Sequence, residues 1–192
     1  MKKKLIALLV MLSLLLTGCN VSVSVDDTGI HFDNVDSTQN DSIQSVSDKL
    51  EIHYIDIGQG DATLIKCGEH SMLIDAGEND KGTEVQDYLE SQNVKKLDYL
   101  IATHPDSDHE GGVDVIIYKF DCDKIFMPDY KKTTKTHRDV IAAMESKNYS
   151  VTEPIVGHRY SLGEAEFTII APNDTYKSAN NSSVGIILKH GD

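Results

Sequence analysis

The chain has 192 residues, 40% of them hydrophobic, with 18 Lys plus Arg against 31 Asp plus Glu and a formal net charge of −13. That apolar share supports a buried core over most of the length and excludes wholesale disorder. The acidic balance excludes a protein that grips nucleic acid through its overall field, and three cysteines are too few for a disulfide scaffold.

Lys2, Lys3 and Lys4 precede an apolar run from Leu5 to Leu16 in which only Ser13 is polar. A basic start followed by a run of this length reads as a secretory signal and is short for a membrane span, and no later run is long enough to cross a bilayer. The run ends in Leu16-Thr17-Gly18-Cys19, which resembles a bacterial lipobox. The resemblance implies that residues 1–18 are a signal peptide and that Cys19 carries lipid, anchoring the protein on the outer face of the cell membrane without a spanning helix. Residues 19–48 then read as the lipidated cysteine and a flexible tether. From residue 20 this stretch has six Asp, six Ser and no Lys or Arg, with room for a short strand where Val21, Val23 and Val25 alternate with serine.

The folded part is expected over 49–192. Leu50 to Ile57 alternates as a strand, Gly58-Gln59-Gly60 turns, and Ala62 to Lys66 and Ser71 to Ile74 follow as strands. Thr83 to Gln92 has helical spacing, with Gly82 or Thr83 as cap. Leu97 to Thr103 reads as a buried strand, Val113 to Phe120 as a helix and Lys124 to Met127 as a strand closed by Pro128. Thr134 to Lys147 is helical, residues 151 to 171 return to strands around a hairpin tip at 160–164, and Val184 to Lys189 is a last strand. Strands in meander order, followed by alternating strand and helix, give an α/β sheet with helices packed on it.

Directly after the buried strand stands Thr103-His104-Pro105-Asp106-Ser107-Asp108-His109-Glu110-Gly111-Gly112. Four candidate metal ligands, His104, Asp106, Asp108 and His109, fall within six residues, and imidazole with carboxylate suits zinc, manganese or iron. Gly111 and Gly112 let the backbone run close to such a centre. A helix cap at Asp108 is the plain alternative. A cap needs one carboxylate and asks for no flanking histidines.

His104-x-Asp106-x-Asp108-His109 resembles the metal-binding signature of the metallo-β-lactamase superfamily, with aspartate in place of its middle histidine. That variant, followed by Gly-Gly, is similar to the extracellular hydrolase domain of ComEC-type competence proteins. Tyr54-Ile55-Asp56-Ile57-Gly58-Gln59-Gly60-Asp61-Ala62 resembles that branch's opening strand and turn. Leu73-Ile74-Asp75-Ala76-Gly77 resembles the strand ending in Asp-x-Gly, and Asn180-Asn181-Ser182-Ser183-Val184 its Asn-x-x-Ser-Val segment. The resemblance implies an αββα sandwich with two divalent metal ions, zinc or manganese, at one sheet edge. His104 and Asp106 would serve one ion, Asp108 and His109 the other. Asp75 would orient a ligand from behind, with Asp61 and Asn180 beside it in supporting positions. Asp108 would also be catalytic, positioning the water activated at the metals, and the reaction implied is phosphodiester hydrolysis with DNA as substrate.

The family takes further ligands from later in its chains, a bridging aspartate and a histidine-containing loop. Here Gly191-Asp192 reads as a hairpin turn rather than that aspartate. The expectation is therefore an incomplete sandwich whose second half is missing, with weak metal binding. A non-catalytic surface lipoprotein that keeps the sheet as a binding module is the competing expectation. A drug-resistance β-lactamase ranks last, because Asp106 and the Gly-Gln-Gly-Asp-Ala opening point to the ComEC-like branch. DNA uptake by this chain alone is not expected, since its only membrane feature is the lipid signal.

Cys67 and Cys122 are expected as buried small hydrophobes rather than a disulfide. His53, His70, His137, His158 and His190 are read as surface or strand histidines and assigned to no metal. Lys131, Lys132, Lys135, His137 and Arg138 form the single basic cluster, read as a solvated loop and helix start rather than a phosphate contact, with Tyr130 beside it.

Overall fold

A computed structural model describes residues 21–26, 29–34 and 49–191. Backbone packing divides the chain into two compact units, Met1–Val46 and Ser47–Asp192. In the first, β1 (Val21–Asp26) pairs antiparallel with β2 (Gly29–Asn34), Val21 opposite Asn34. Two strands thus stand in the stretch read as a tether, because the Val/Ser alternation finds a partner in Gly29-Ile30-His31-Phe32. The segment expected as a signal peptide, Cys19 and residues 35–48 lie outside the described residues.

The second unit holds a six-stranded and a three-stranded sheet. The larger contains β3 (Leu50–Tyr54), β4 (Thr63–Cys67), β5 (His70–Ile74), β6 (Lys96–Ile101), β7 (Asp121–Phe126) and β8 (Val151–Thr152), side by side in that order. The first two pairings are antiparallel and the last three parallel, so the chain meanders and then crosses over through helices. The smaller sheet has the order β11 (Gly185–His190), β10 (Ala165–Ala171), β9 (Arg159–Leu162). Helices α1 (Gly82–Ser91), α3 (Val113–Lys119) and α4 (Lys135–Ser146) join these strands, and a one-turn helix α2 (Ser107–Glu110) lies inside the metal motif. The described layers are helix, six-stranded sheet, three-stranded sheet.

Period-two alternation explains the layering. Leu64, Leu73, Leu100 and Ile125 point to the helices, and their neighbours Ile65, Met72, Ile101 and Phe126 point to the second sheet, all almost fully buried. Strands apolar on both faces belong in the middle of a layered fold. Between the sheets, Phe126, Tyr160 and Phe167 pack edge-on or stacked around Tyr99, whose hydroxyl donates to the Ser161 carbonyl at 2.9 Å. This bond ties β6 to β9. Tyr99→Phe is expected to lose about 1 kcal/mol, seen as a small fall in the urea midpoint with an unchanged slope; no fall would show the sheets held by ring packing alone.

Sequence boundaries and structure agree within a few residues, with two differences. Helix α2 is too short to leave a periodic signal. The residue before α1 is Lys81, with no side-chain cap, so neither Gly82 nor Thr83 caps it. Thr134 does cap α4, accepting from the His137 amide at 3.3 Å. Cys67 and Cys122 are buried, and burial pushes the Cys122 thiol up to about 12.

Candidate metal centre

Three loops meet at the carboxyl ends of β5 and β6. Residues 103–112 leave β6, residues 75–82 leave β5, and the 58–62 turn arrives from β3. Backbone bonds lock them: Asp61 N to Asp108 O at 3.1 Å, Ala76 N to His109 O at 2.9 Å, Gly77 N to Asp61 O at 3.0 Å and Gly112 N to Gly77 O at 3.2 Å. The glycines after the motif serve this crossing. A Cβ on Gly111 would lie 2.4 Å from the Asn79 nitrogen, and one on Gly112 2.4 Å from the Ala76 oxygen. The fourth loop comes from the second sheet, where Val184 N donates to Thr103 O at 2.9 Å.

Asp75 is the hub. It is 2% exposed and sits at φ 58, in the left-handed region. Its Oδ1 accepts from Thr103 N at 2.7 Å; its Oδ2 accepts from Thr103 Oγ1 at 2.6 Å and from His109 Nδ1 at 2.8 Å. The Asp75 carboxylate stands behind His109, on the Nδ1 side of its ring.

The hydrogen-bond network sets both histidine tautomers. His109 Nδ1 faces a carboxylate and must carry the proton, leaving an Nε2 lone pair. His104 Nδ1 faces Thr103 Oγ1 at 3.1 Å and Ser183 Oγ at 3.3 Å. Those two hydroxyls already donate elsewhere, to Asp75 and to the Asn180 carbonyl at 2.7 Å, so both accept from His104 Nδ1–H. His104 therefore also presents its Nε2 lone pair. Burial, with His109 beside it, lowers the His104 pKa, while the hydrogen bond to Asp75 raises that of His109.

Carboxylates stand opposite these lone pairs. His104 Nε2 is 3.6 Å from Asp106 Oδ2; His109 Nε2 is 3.6 Å from Asp61 Oδ2 and 4.0 Å from Asp108 Oδ2. The two imidazole centroids are 4.0 Å apart. Two ligands about 2.1 Å from one tetrahedral ion lie about 3.4 Å apart, so the His104–Asp106 and His109–Asp61 pairs fit a divalent metal in donor type and spacing. Among the described residues no three His, Cys, Asp or Glu side chains are yet gathered around one point. Asp106 precedes α2 as its cap residue but makes no side-chain capping bond, so the motif carboxylates are not spent as caps.

Several placements depart from the expectation. Asp61 stands in front of His109, its carboxylate closer to Nε2 than that of Asp108. Asn180 is exposed and reaches the site only through its backbone carbonyl, which holds Ser183; Ser183 is the member of that segment that touches a motif residue. Lys132 Nζ is paired with Asp106 Oδ1, and this ammonium holds the Asp106 pKa below the usual carboxylate range. His137 is no surface histidine: its side chain is 15% exposed and its Nδ1 lies 3.1 Å from Oε2 of Glu110, which is fully buried. Lys135 is paired with Asp139 and Arg138 donates to the Thr133 carbonyl, as at a solvated helix start.

The family model of the metallo-beta-lactamase superfamily matches residues 55–180. The chain belongs to this superfamily. Members bind divalent metals, usually zinc. The chain is 27% identical to Recombination protein 2 of Haemophilus influenzae over 143 residues, covering 72% of this chain and 16% of that protein. It is 24% identical to ComE operon protein 3 of Bacillus subtilis over 165 residues, covering 76% of this chain and 21% of that one. The chain thus spans no more than about a fifth of either relative. Among solved structures, MIM-2 metallo-beta-lactamase superposes with a TM-score of 0.52 at 16% identity, over 72% of this chain and 54% of that one. Metallo-beta-lactamase SMB-1 bound to 2-mercaptoethanesulfonate superposes with 0.51 at 16%, over 71% and 54%. These likenesses establish the α/β metallo-beta-lactamase fold.

Proposed function

We propose that the protein is a metal-dependent hydrolase of phosphodiesters that acts outside the cell from a lipid anchor at Cys19. The observation that supports it most is the pair of imidazoles with fixed tautomers, each with its Nε2 lone pair facing a carboxylate. Two bound divalent ions, zinc or manganese, would supply Lewis acidity and lower the pKa of water to near neutrality. His104 and Asp106 are the donors for one ion, His109, Asp61 and Asp108 for the other, and Asp75 fixes His109. The Asp108 carboxylate accepts no hydrogen bond from the described residues, which suits it to orient a water and take up its proton.

The substrate class rests on the similarity to Recombination protein 2, by its name a recombination protein, and on the ComEC-like motif. The chain's acidity does not oppose it locally, because bound ions supply positive charge where a phosphate would sit. Export and anchoring rest on Lys2 to Lys4, the Leu5–Leu16 run and Cys19. Among the described residues no helix is long and apolar enough to cross a membrane.

With zinc or manganese added, the protein is expected to hydrolyse a generic phosphodiester such as bis(p-nitrophenyl) phosphate. EDTA should lower the rate at least about 100-fold, and metal should restore it. Turnover indifferent to EDTA, or none with either metal, would sink this reading. A second reading, a non-catalytic surface module, is favoured by one observation: among the described residues no trio of donors is gathered at one point. It expects no turnover under any metal.

A further inference from the structure

Beyond β7 and β8, against α4, lies a cavity of about 640 Å³, within the range of small-molecule sites. Its walls are mainly apolar, with Pro128, Ile141 and Pro154 among them, and Lys131 and Lys132 add ammonium donors and His137 an imidazole. Two of these polar groups are held by carboxylates of the metal motif. Lys132 pairs with Asp106 Oδ1, the oxygen turned away from His104, while Asp106 Oδ2 faces His104 Nε2 at 3.6 Å. His137 is held through Nδ1 by Glu110, which directly follows His109 in the chain. Glu110 is fully buried and its Oε1 has no hydrogen-bond partner.

A carboxylate buried this completely is costly unless it orients something. Glu110 fixes the ring plane of His137 and leaves Nε2 as the nitrogen available to a ligand in the cavity. Asp106 likewise places the Lys132 ammonium where metal centre and cavity meet. The cavity and the metal centre are therefore joined through Lys132, which lines the one and pairs with Asp106 of the other.

The wall chemistry describes the occupant. The Lys131 and Lys132 ammonium groups suit a phosphate, the His137 Nε2 lone pair suits a sugar hydroxyl or ring N–H, and the apolar walls suit a ring. Asp129 and Glu153, also on the lining, are acceptors for ring N–H and amino groups and weigh against a bare anion. We propose that the cavity binds one nucleoside monophosphate unit of the substrate, phosphate toward Lys131 and Lys132, base and sugar against Pro128, Ile141 and Pro154 and within reach of the His137 Nε2 lone pair. This rests on the phosphodiester reading and adds to it the nucleotide that flanks the bond cleaved.

The test is calorimetric titration of the full chain with thymidine 5′-monophosphate, without added metal, beside oligonucleotide cleavage with zinc. Saturable binding is expected. Ile141→Trp, which fills the cavity, and His137→Gln should each weaken it about tenfold and raise KM for the oligonucleotide more than they lower kcat. Lys131→Glu, at an exposed position, should weaken it several-fold without disturbing packing and keeps the test decisive if Ile141→Trp does not fold. No saturable binding, or binding unmoved by all three variants, overturns the subsite. Binding that responds to the variants, in a protein that cleaves nothing with metal, overturns the phosphodiester reading and leaves the subsite standing. Metal-dependent cleavage with KM unmoved overturns the subsite alone.

Discussion

Asp75→Ala is expected to lower stability by about 3–5 kcal/mol and metal affinity by about 10–100-fold. The first figure follows from what the carboxylate holds. It accepts three hydrogen bonds while 2% exposed, and its removal leaves the Thr103 amide and hydroxyl without acceptors inside the protein. The second follows from His109: without Asp75 the ring loses the bond that sets its tautomer, and with it the basicity that the bond confers. Asp75→Asn separates the two effects. An amide oxygen can still accept from Thr103 N, but an amide N–H opposite His109 Nδ1 drives the ring proton to Nε2, where the metal should bind. The asparagine protein should fold with a modest loss and bind zinc nearly as poorly as the alanine protein. Chemical denaturation and competition against a chelator of known affinity measure the two. Wild-type zinc affinity in Asp75→Asn would remove Asp75 from the site.

The His109 shift also gives a sign for pH. Because the folded-state pKa is raised, the His109–Asp75 bond contributes stability that is fully present below the ordinary histidine range and fades as pH rises through the raised value. Metal binding runs the other way, since the proton and the ion compete for the same ring. Metal-free stability should therefore fall on the alkaline side of the His109 transition, where metal affinity gains.

The strands were legible because each obeys one local rule. Leu73 beside Met72 and Leu100 beside Ile101 are adjacent apolar residues that must face opposite ways, so a strand apolar on both faces announces a layer above and below it. The metal motif was legible for a different reason: four ligand-type residues in six positions are rare unless they converge. Glu110 stands inside the same motif, but nothing in the local sequence gives it a partner. Its partner His137 is 27 positions away, and Lys132 is 26 positions from Asp106, distances at which no periodicity links two residues. Ser183 lies in the same segment as Asn180, yet nothing local separates the two; the difference arises from the 3₁₀ turn at Asn180–Ser182, which sends one side chain outward and the other toward His104. Asp61 is the middle case. Its motif placed it near the edge, and the backbone pairing of its turn with Asp108 brought it to the front of His109.

That pairing depends on Gly60, and Gly60→Ala is the other large effect expected. Gly60 has φ +105, outside the range comfortable for an L side chain, and a Cβ there would lie 2.3 Å from the Asp108 carbonyl oxygen and 3.2 Å from the Gly77 Cα. Both obstacles are backbone, so no side chain can rotate away, and the Asp108 oxygen is itself fixed by the Asp61 amide at 3.1 Å. The backbone conformation alone costs about 1–2 kcal/mol. Relief of the clash requires the 58–62 turn to lift, which breaks Asp61 N to Asp108 O and Gly77 N to Asp61 O. A total of about 3 kcal/mol is expected, a fall in Tm of about 6–12 °C for a domain of this size. Lifting the turn also carries Asp61 away from His109 Nε2, so zinc affinity should fall along with stability. Gly58→Ala is the control: its φ is +79, but nothing lies within 4 Å of an added Cβ, so it incurs the conformational cost without the clash. If Gly60→Ala loses no more stability than Gly58→Ala and binds zinc normally, the turn does not deliver Asp61 to the metal centre.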